Sequence, residues 1–429
     1  MTDVVDVGGA EVQRVPDPDD LVIEDIRIGK NVYFAGSVIK ERSGDDSLRP
    51  KQRNQRPVPA NSLLCKYMGD AALSFSTGQR LAIVENMWPQ LGQGSSDHSL
   101  IFNSGGFGAL QQRVRNSFKT INGVLYAPPD EAMKFGVQVR NFHKSVQGDM
   151  PNGRAYHAIN AETFYWAHAT FFENLYRANE LGVFDQPLTR AECEQIFEES
   201  KDWFSMYGVD DRAQPQTFAE FEVYRASVLK EHLVNTKAAQ FTVGLAKPNA
   251  NFDRFIPPRF LPLARAAKPV LVPFLRIFTA GALEPYLRER LQIDWSEQDE
   301  RGYRRFIATI RLYRRWSRRL HLPLSFRYGK VAVAAFEREG VNPDDITLES
   351  AREALRLSRL HRDESLVSAG QPVAVTMAPA DAVCVRCERP LEDCKECAAT
   401  GLVDAAPCDV CHGARRGCRV HHDQWDVLA

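Results

Sequence analysis

An all-α domain followed by a small metal-binding module is the fold class that this sequence predicts. Three observations carry it. Apolar residues recur at a 3.6-residue period in one segment after another between residues 58 and 362. Capping residues open several of those segments. Seven of the nine cysteines fall in the last 46 residues, mostly in pairs with two residues between them. No strand-rich region and no repeat of solenoid length interrupts the helical part. The expected division is an N-terminal arm and linker over 1–58, a helical domain over 59–362, a linker over 363–380 and the metal-binding module over 381–429.

The 429 residues leave room for a large core, and 44% hydrophobic with 25% charged residues describes a globular protein. A formal net charge of −1 gives no general pull toward nucleic acid, so no nucleic-acid partner is expected. Met1 to Asp20 is acidic and polar, without a basic stretch leading into an apolar one, so the expected location is cytoplasmic. The clustering of the cysteines suits metal in a reducing compartment better than a disulfide frame.

Taken in order, the arm holds a strand-like run over Asn31–Ile39 and then a charged, proline-containing linker. Thr77 can cap a helix that runs through Met87 and is ended by Pro89, after which a Gly/Ser loop delivers Asp97, His98 and Ser99. Phe107, Leu110, Val114, Phe118, Ile121 and Leu125 then mark a second amphipathic helix that carries Arg113 and Arg115.

The next helix organises the functional reading. Pro129 suits its first position, Asp130 and Glu131 suit the positive end of the dipole, and Gly148 suits the stop. At helical spacing Gly136, Val139, Arg140, His143 and Gln147 share one face, beside an apolar face of Phe135, Val139, Phe142 and Val146. A neutral imidazole on a half-buried wall can ligate iron, Arg140 one turn earlier can pair with a carboxylate, and Gly136 lets a flat group lie close. That combination suggests a haem ligand. A core histidine satisfied by a backbone carbonyl is the competing reading.

A Pro/Gly loop with Tyr156 and His157 leads to Asn160, the N-cap of a helix that is apolar nearly all round, contains His168, and should cross the core. Thr189 with Glu192 and Thr217 with Glu220 announce two more helices, the first ending near Gly208. The apolar run from Phe260 to Leu283 is interrupted by Arg265, Lys268, Pro269, Pro273 and Arg276. It therefore reads as buried or interfacial helices rather than a membrane span. In the following helix Tyr303, Phe306, Ile307, Ile310 and Tyr313 oppose an arginine series. From Arg304 to Arg319 that face predicts at most weak, salt-sensitive contact with an anionic membrane surface. A last helix spans about Thr347 to His361.

Cys384, Cys387, Cys394 and Cys397, then Cys408, Cys411, Cys418 and His421, form four pairs, three of them C-x-x-C and one C-x-x-H. Eight soft ligands in such turns are what two structural tetrahedral Zn²⁺ ions require. Sequential pairing (first with second, third with fourth) and crossed pairing (first with third, second with fourth) both remain open. So short a segment would take most of its folding energy from the metal, and its expected work is contact with a protein partner.

The ordered set GDAALSFSTGQRLAIVENMWPQLGQGSSDHS, RVRNSFKTINGVLYAPPDEA, VRNFHKSVQG and YHAINAETFYWAHAT resembles the MpaB and latex-clearing (rubber oxygenase) family over about residues 60 to 335. The resemblance implies a globin-like helical bundle around haem b, with His143 as the iron ligand supported by Arg140, Gly136 and Gln147. It places Arg113, Asn116 and Ser117 on the distal side and matches Asp97–His98–Ser99 to the family's acidic-His-Ser loop. Trp166 and His168 match a W-x-H pattern. Gln147 stands where the family often has Arg, and Trp88 where a His commonly precedes the proline. The implied activity is a haem-dependent oxygenase acting with O₂ on a small hydrophobic or lipid-like substrate. The alternative is a non-catalytic helical scaffold that recruits a partner through its zinc module.

Overall fold

The computed structural model describes residues 4–7, 10–13, 26–28, 31–33, 55–99, 119–209, 211–247, 253, 256–368, 392–393, 402–403, 406–407 and 416–417. Two units result, residues 1–50 with 55–356 and residues 51–54 with 357–429.

The first unit is built of helices, as the sequence predicts. They are α1 (Leu63–Met68), α2 (Ala71–Met87), α3 (Pro89–His98), α4 (Pro129–His143), α5 (Ala161–Glu180), α6 (Arg190–Ser205) and α7 (Phe218–Ser227). A single π-turn (Val228–His232) then leads to α8 (Lys237–Thr242), α9 (Leu261–Ala266), α10 (Lys268–Ala280), α11 (Pro285–Arg290), α12 (Glu297–Arg319) and α13 (Lys330–Glu339), and α14 (Leu348–Ser368) begins in this unit and runs on past residue 356. α14 continues the chain seven residues past His361, so the first residues of the expected 363–380 linker are helical. Residues 1–50 contribute an antiparallel meander, β1 (Val4–Val7), β2 (Ala10–Gln13), β3 (Ile26–Ile28) and β4 (Asn31–Tyr33), of which the sequence reading found only the last.

Caps explain most helix starts. The Asn160 side chain accepts from Glu162 N and Thr163 N at the head of α5, and Thr189 and Glu192 form the reciprocal capping box of α6. Thr217 accepts from Glu220 N, but the Glu220 carboxylate takes Gln216 N instead of closing the box. Two expectations are corrected. Asp70, not Thr77, caps α2, through Ala72 N, and the Thr77 hydroxyl sits inside the helix bonded to the Leu73 carbonyl. The Gly/Ser stretch after Pro89 is helix α3, because close packing replaces helix propensity. A Cβ on Gly92 would overlap the Thr236 side chain, and one on Gly94 would press on Val146.

α5 is the central element, packed against α2 and α6 with Phe164, Tyr165, Trp166, Phe172 and Leu175 buried. Around it lie the fully buried Trp88, Trp203, Tyr224, Phe197, Phe204 and Phe221. Through this apolar core runs an ionic net. Arg80 of α2 bonds Glu173 of α5 and Glu284 at the N-cap of α11. Arg225 of α7 bonds Glu173 and Glu180, and Arg177 reaches Glu180 and Glu284.

In the second unit β7 (Glu392–Asp393) pairs antiparallel with β10 (Arg416–Gly417), and β8 (Leu402–Val403) pairs with β9 (Ala406–Pro407).

Candidate functional site

α4 begins at Pro129 as the sequence predicts, but it ends at His143, five residues short of Gly148. The chain turns there because residues 147–149 form β5 (Gln147–Asp149), paired with β6 (Ala155–His157), and Ala158 N donates to the Val146 carbonyl. This hairpin replaces the expected Pro/Gly loop. Gln147 therefore leaves the helix stripe. It lies in β5 with its side chain exposed, and its carbonyl accepts from His98 Nε2 at 3.1 Å.

His143 closes α4, half-buried, with its ring edge-on to Phe142 at 5.6 Å and to Phe164 of α5 at 5.8 Å. Its Nδ1 lies 2.7 Å from the Val139 carbonyl. A carbonyl can only accept, so Nδ1 carries the hydrogen and the lone pair of the neutral ring belongs to Nε2. Arg140, one turn earlier, is buried. Its Nη1 donates to the Gly208 carbonyl at 3.4 Å and its Nη2 to Asn141 Oδ1 at 3.2 Å, while the buried Nε makes no hydrogen bond. Among the described residues Arg140 forms no ion pair, and burial lowers its proton affinity. The expected carboxylate partner is thus not supplied by these residues. Gly136 is also spoken for: a Cβ there would strike the carbonyl of Met206, so the glycine lets the loop after α6 lie against α4 rather than opening room for a flat group.

Asp97 and His98 lie at the end of α3, not in a loop. Tyr156 Oη donates to Asp97 Oδ2 at 2.6 Å and Gln93 Nε2 to Asp97 Oδ1 at 2.9 Å, which with the His98 bond ties α3 to the β5–β6 hairpin. Asp97 and His98 therefore brace the strand that follows His143. Arg113, Asn116 and Ser117 lie outside the described residues, as do Cys384, Cys387, Cys394, Cys397, Cys408, Cys411, Cys418 and His421. Among the described residues no group of three or more His, Cys, Asp or Glu is placed to hold a metal ion.

Behind Phe164 stands an aromatic wall that the sequence reading did not assemble. Phe164 meets Tyr207 at 5.4 Å and Phe204 at 6.2 Å, and both contact the ring of His168. His168 is fully buried among Trp203, Phe204, Phe172 and Tyr207. Neither of its nitrogens makes a well-formed hydrogen bond, although the Ser200 backbone is near enough to favour the cation. Burial prevails and pushes His168 down to about 3. His232, on the π-turn, was also missed. Its ring lies 4.1 Å from that of Trp88, tilted by 43°, and burial pushes it to about 3 as well. Its only signal in the sequence is its place between the apolar pairs Val228–Leu229 and Leu233–Val234, next to Lys230 and Glu231. Trp166 Nε1 donates to the Val84 carbonyl, so the matched W-x-H pair locks α5 into the core and touches no solvent.

Residues 65–312, from α1 into α12, match the family described as ER-bound oxygenase mpaB/B'/Rubber oxygenase, catalytic domain. No curated protein and no solved structure matches the chain.

Proposed function

The chain belongs to the ER-bound oxygenase mpaB/B'/rubber oxygenase family through an oxygenase-type catalytic domain, and from that premise we propose a haem-dependent oxidoreductase acting with O₂ on an apolar, lipid-like substrate. The observation that carries this reading is the state of two residues on α4. His143 donates through Nδ1 to Val139, which makes Nε2 the basic nitrogen of the ring, beside a buried Arg140 that faces no carboxylate among the described residues. Haem b fits that pair, with the imidazole for iron and the guanidinium for a propionate. When bound, haem would supply a redox-active iron able to activate O₂.

The chain's own residues do the rest. The Val139 carbonyl orients the His143 ring and raises the donor strength of Nε2. Arg140, its side chain buried, would balance the charge of a propionate there. The buried Phe164 backs the imidazole edge-on, and the exposed Phe142 meets it edge-on from solvent. Asp97 acts through Tyr156 as a brace on the hairpin rather than on substrate. The test is the Soret band of protein expressed with ample haem. We expect it in the wild type and its loss in His143→Ala, with helix content unchanged. A wild type without the band, or a His143→Ala protein that keeps it, overturns the reading in favour of a non-catalytic scaffold.

For the C-terminal segment we propose two structural Zn²⁺ ions in a nested arrangement, which neither the sequential nor the crossed pairing describes. Its support is strand register: Asp393 pairs with Arg416 and Glu392 with Gly417. In sequence the first ligand pair precedes β7 and the fourth follows β10, whereas the second and third lie between the two strands. The β8–β9 pairing lies between Cys397 and Cys408 in sequence. One ion would take Cys384, Cys387, Cys418 and His421, and the other Cys394, Cys397, Cys408 and Cys411.

A further inference from the structure

The segment between Asp253 and Glu284 combines basic charge with exposed apolar side chains. Five basic residues, Arg254, Arg259, Arg265, Lys268 and Arg276, occur there with no acidic residue among them, in a chain whose net charge is −1. The helices it forms also leave their apolar side chains in solvent. α9 buries nothing, and Phe260 (47%), Leu263 (70%), Val270 (77%) and Phe274 (47%) are exposed.

We propose that α9 and the first turns of α10 form a docking surface for an anionic lipid bilayer, lying in the headgroup layer without crossing it. Apolar residues at that depth leave water while the flanking Arg and Lys stems reach phosphate and carboxylate headgroups. α10 has 13 residues, and no described helix is long and apolar enough to span a membrane.

The surface is held rigidly by its inner end. Thr279 and Ala280 are buried, Arg276 donates to the Ala246 carbonyl at 2.6 Å and pairs with Asp299 at 3.1 Å, and the Phe274 ring meets Phe306 edge-on at 6.1 Å. Arg265 shares its charge with Asp253 at 2.7 Å. Arg259 lies over the Phe260 ring, and Lys268 opens α10 between Leu263 and Val270. A second copy of the chain is a poor occupant, because a two-fold contact would set these basic residues against their own like.

On α12, which also exposes Leu312 and Trp316, part of the arginine charge is already paired within the fold. Arg301 pairs with Glu297, Arg304 with Glu300, Arg318 with Asp185, and Arg314 is buried on Asp70.

The experiment is sedimentation of the full chain with vesicles of phosphatidylcholine, alone or with about 30 per cent phosphatidylserine. We expect binding about tenfold stronger to the anionic vesicles, part of it surviving about 0.5 M salt because an apolar contribution is not screened. The double variant Leu263→Glu, Val270→Glu should lose at least about tenfold in binding and all of the salt-resistant part, with an unchanged thermal transition, since both side chains are exposed. Arg259→Glu with Lys268→Glu should remove mainly the salt-sensitive part. Absence of vesicle binding overturns the proposal, as does binding that the Leu263→Glu, Val270→Glu protein keeps. A dimer in solution that those two substitutions dissolve would also overturn it, by assigning the face to a second copy.

Discussion

Arg80 on α2 and Glu173 on α5 meet in a bidentate ion pair from which water is completely excluded, at the contact between the two most closely packed helices of the domain. Burial alone would favour the uncharged forms. Burial does work to raise Glu173, but the charges of Arg80 and Arg225 overcome it and hold the carboxyl well below the ordinary carboxylate range. The net closes with Arg177, Glu180 and Glu284, three guanidiniums against three carboxylates. Arg80→Met leaves Glu173 and Glu284 short of their main partner, so urea denaturation should show a loss of about 3–5 kcal/mol. Arg80→Met combined with Glu173→Gln should lose less than the sum of the separate changes, because they act on one network. Additive losses would mean that the two side chains do not act together.

His168 and His232 predict the acid side of the stability curve. Both are held neutral by burial, at about 3 in the fold against 6.5 ordinarily. Between those values the unfolded chain binds more protons than the folded one. Stability therefore rises with pH from about 3 to about 6.5, and is lost as the pH falls through that window. Each histidine contributes a slope of about 1.4 kcal/mol per pH unit there. His232→Phe should flatten the profile between about pH 4 and 6 relative to wild type, whatever it costs at pH 7. A profile of unchanged slope would show that His232 is not buried as a neutral ring.

Helix positions were legible wherever a cap and an apolar period coincide, as at Asn160 and Thr189. They were misread where a distant partner decides. Asp70 and Thr77 are both able caps, and what selects Asp70 is Arg314, which reaches its second carboxylate oxygen from α12 at 2.6 Å across 244 residues of sequence. The same distance in sequence hid the Arg80 net, since an arginine inside GQRLAIV reads as the solvent side of an amphipathic helix. At the candidate site the pair His143 and Arg140 was readable from i, i+3 spacing. The end of α4 was not, because it is set by β5–β6 pairing that begins only at Gln147. Nor does helical spacing reveal that Met206 occupies the open side of Gly136.

Arg140 separates a structural arginine from one that waits for an anion. A buried guanidinium with an unbonded Nε and no acidic neighbour among the described residues is a strained element of the folded chain. Arg140→Met should therefore leave the stability of haem-free protein within about 1 kcal/mol of wild type, or raise it. In haem-loaded protein the same change should speed haem loss to apomyoglobin by about tenfold or more, and Arg140→Lys should fall between, keeping the charge and losing the fork. If Arg140→Met destabilises haem-free protein by several kcal/mol, the bond to Gly208 is its purpose and the propionate assignment fails.

The zinc arrangement makes the sharpest prediction, because pairing can be read by counting metal. Wild-type protein should carry two Zn²⁺ per chain by elemental analysis, and any single Cys→Ser change among the ligands should release one. Doubles then identify which ligands share an ion. With the nested pairing inferred from the β7–β10 register, Cys394→Ser with Cys408→Ser opens one site and leaves one ion bound. Cys394→Ser with Cys418→Ser opens both sites and leaves none, as does Cys384→Ser with Cys394→Ser. Crossed sites would reverse the second result, since Cys394 and Cys418 would then share an ion. Sequential sites would reverse the third, since Cys384 and Cys394 would share one. Metal-free protein with quantifiable disulfides would remove the module's metal altogether. Each double should be read against its singles after gentle dialysis, because a site with three remaining ligands binds zinc more weakly without losing its preference for tetrahedral geometry.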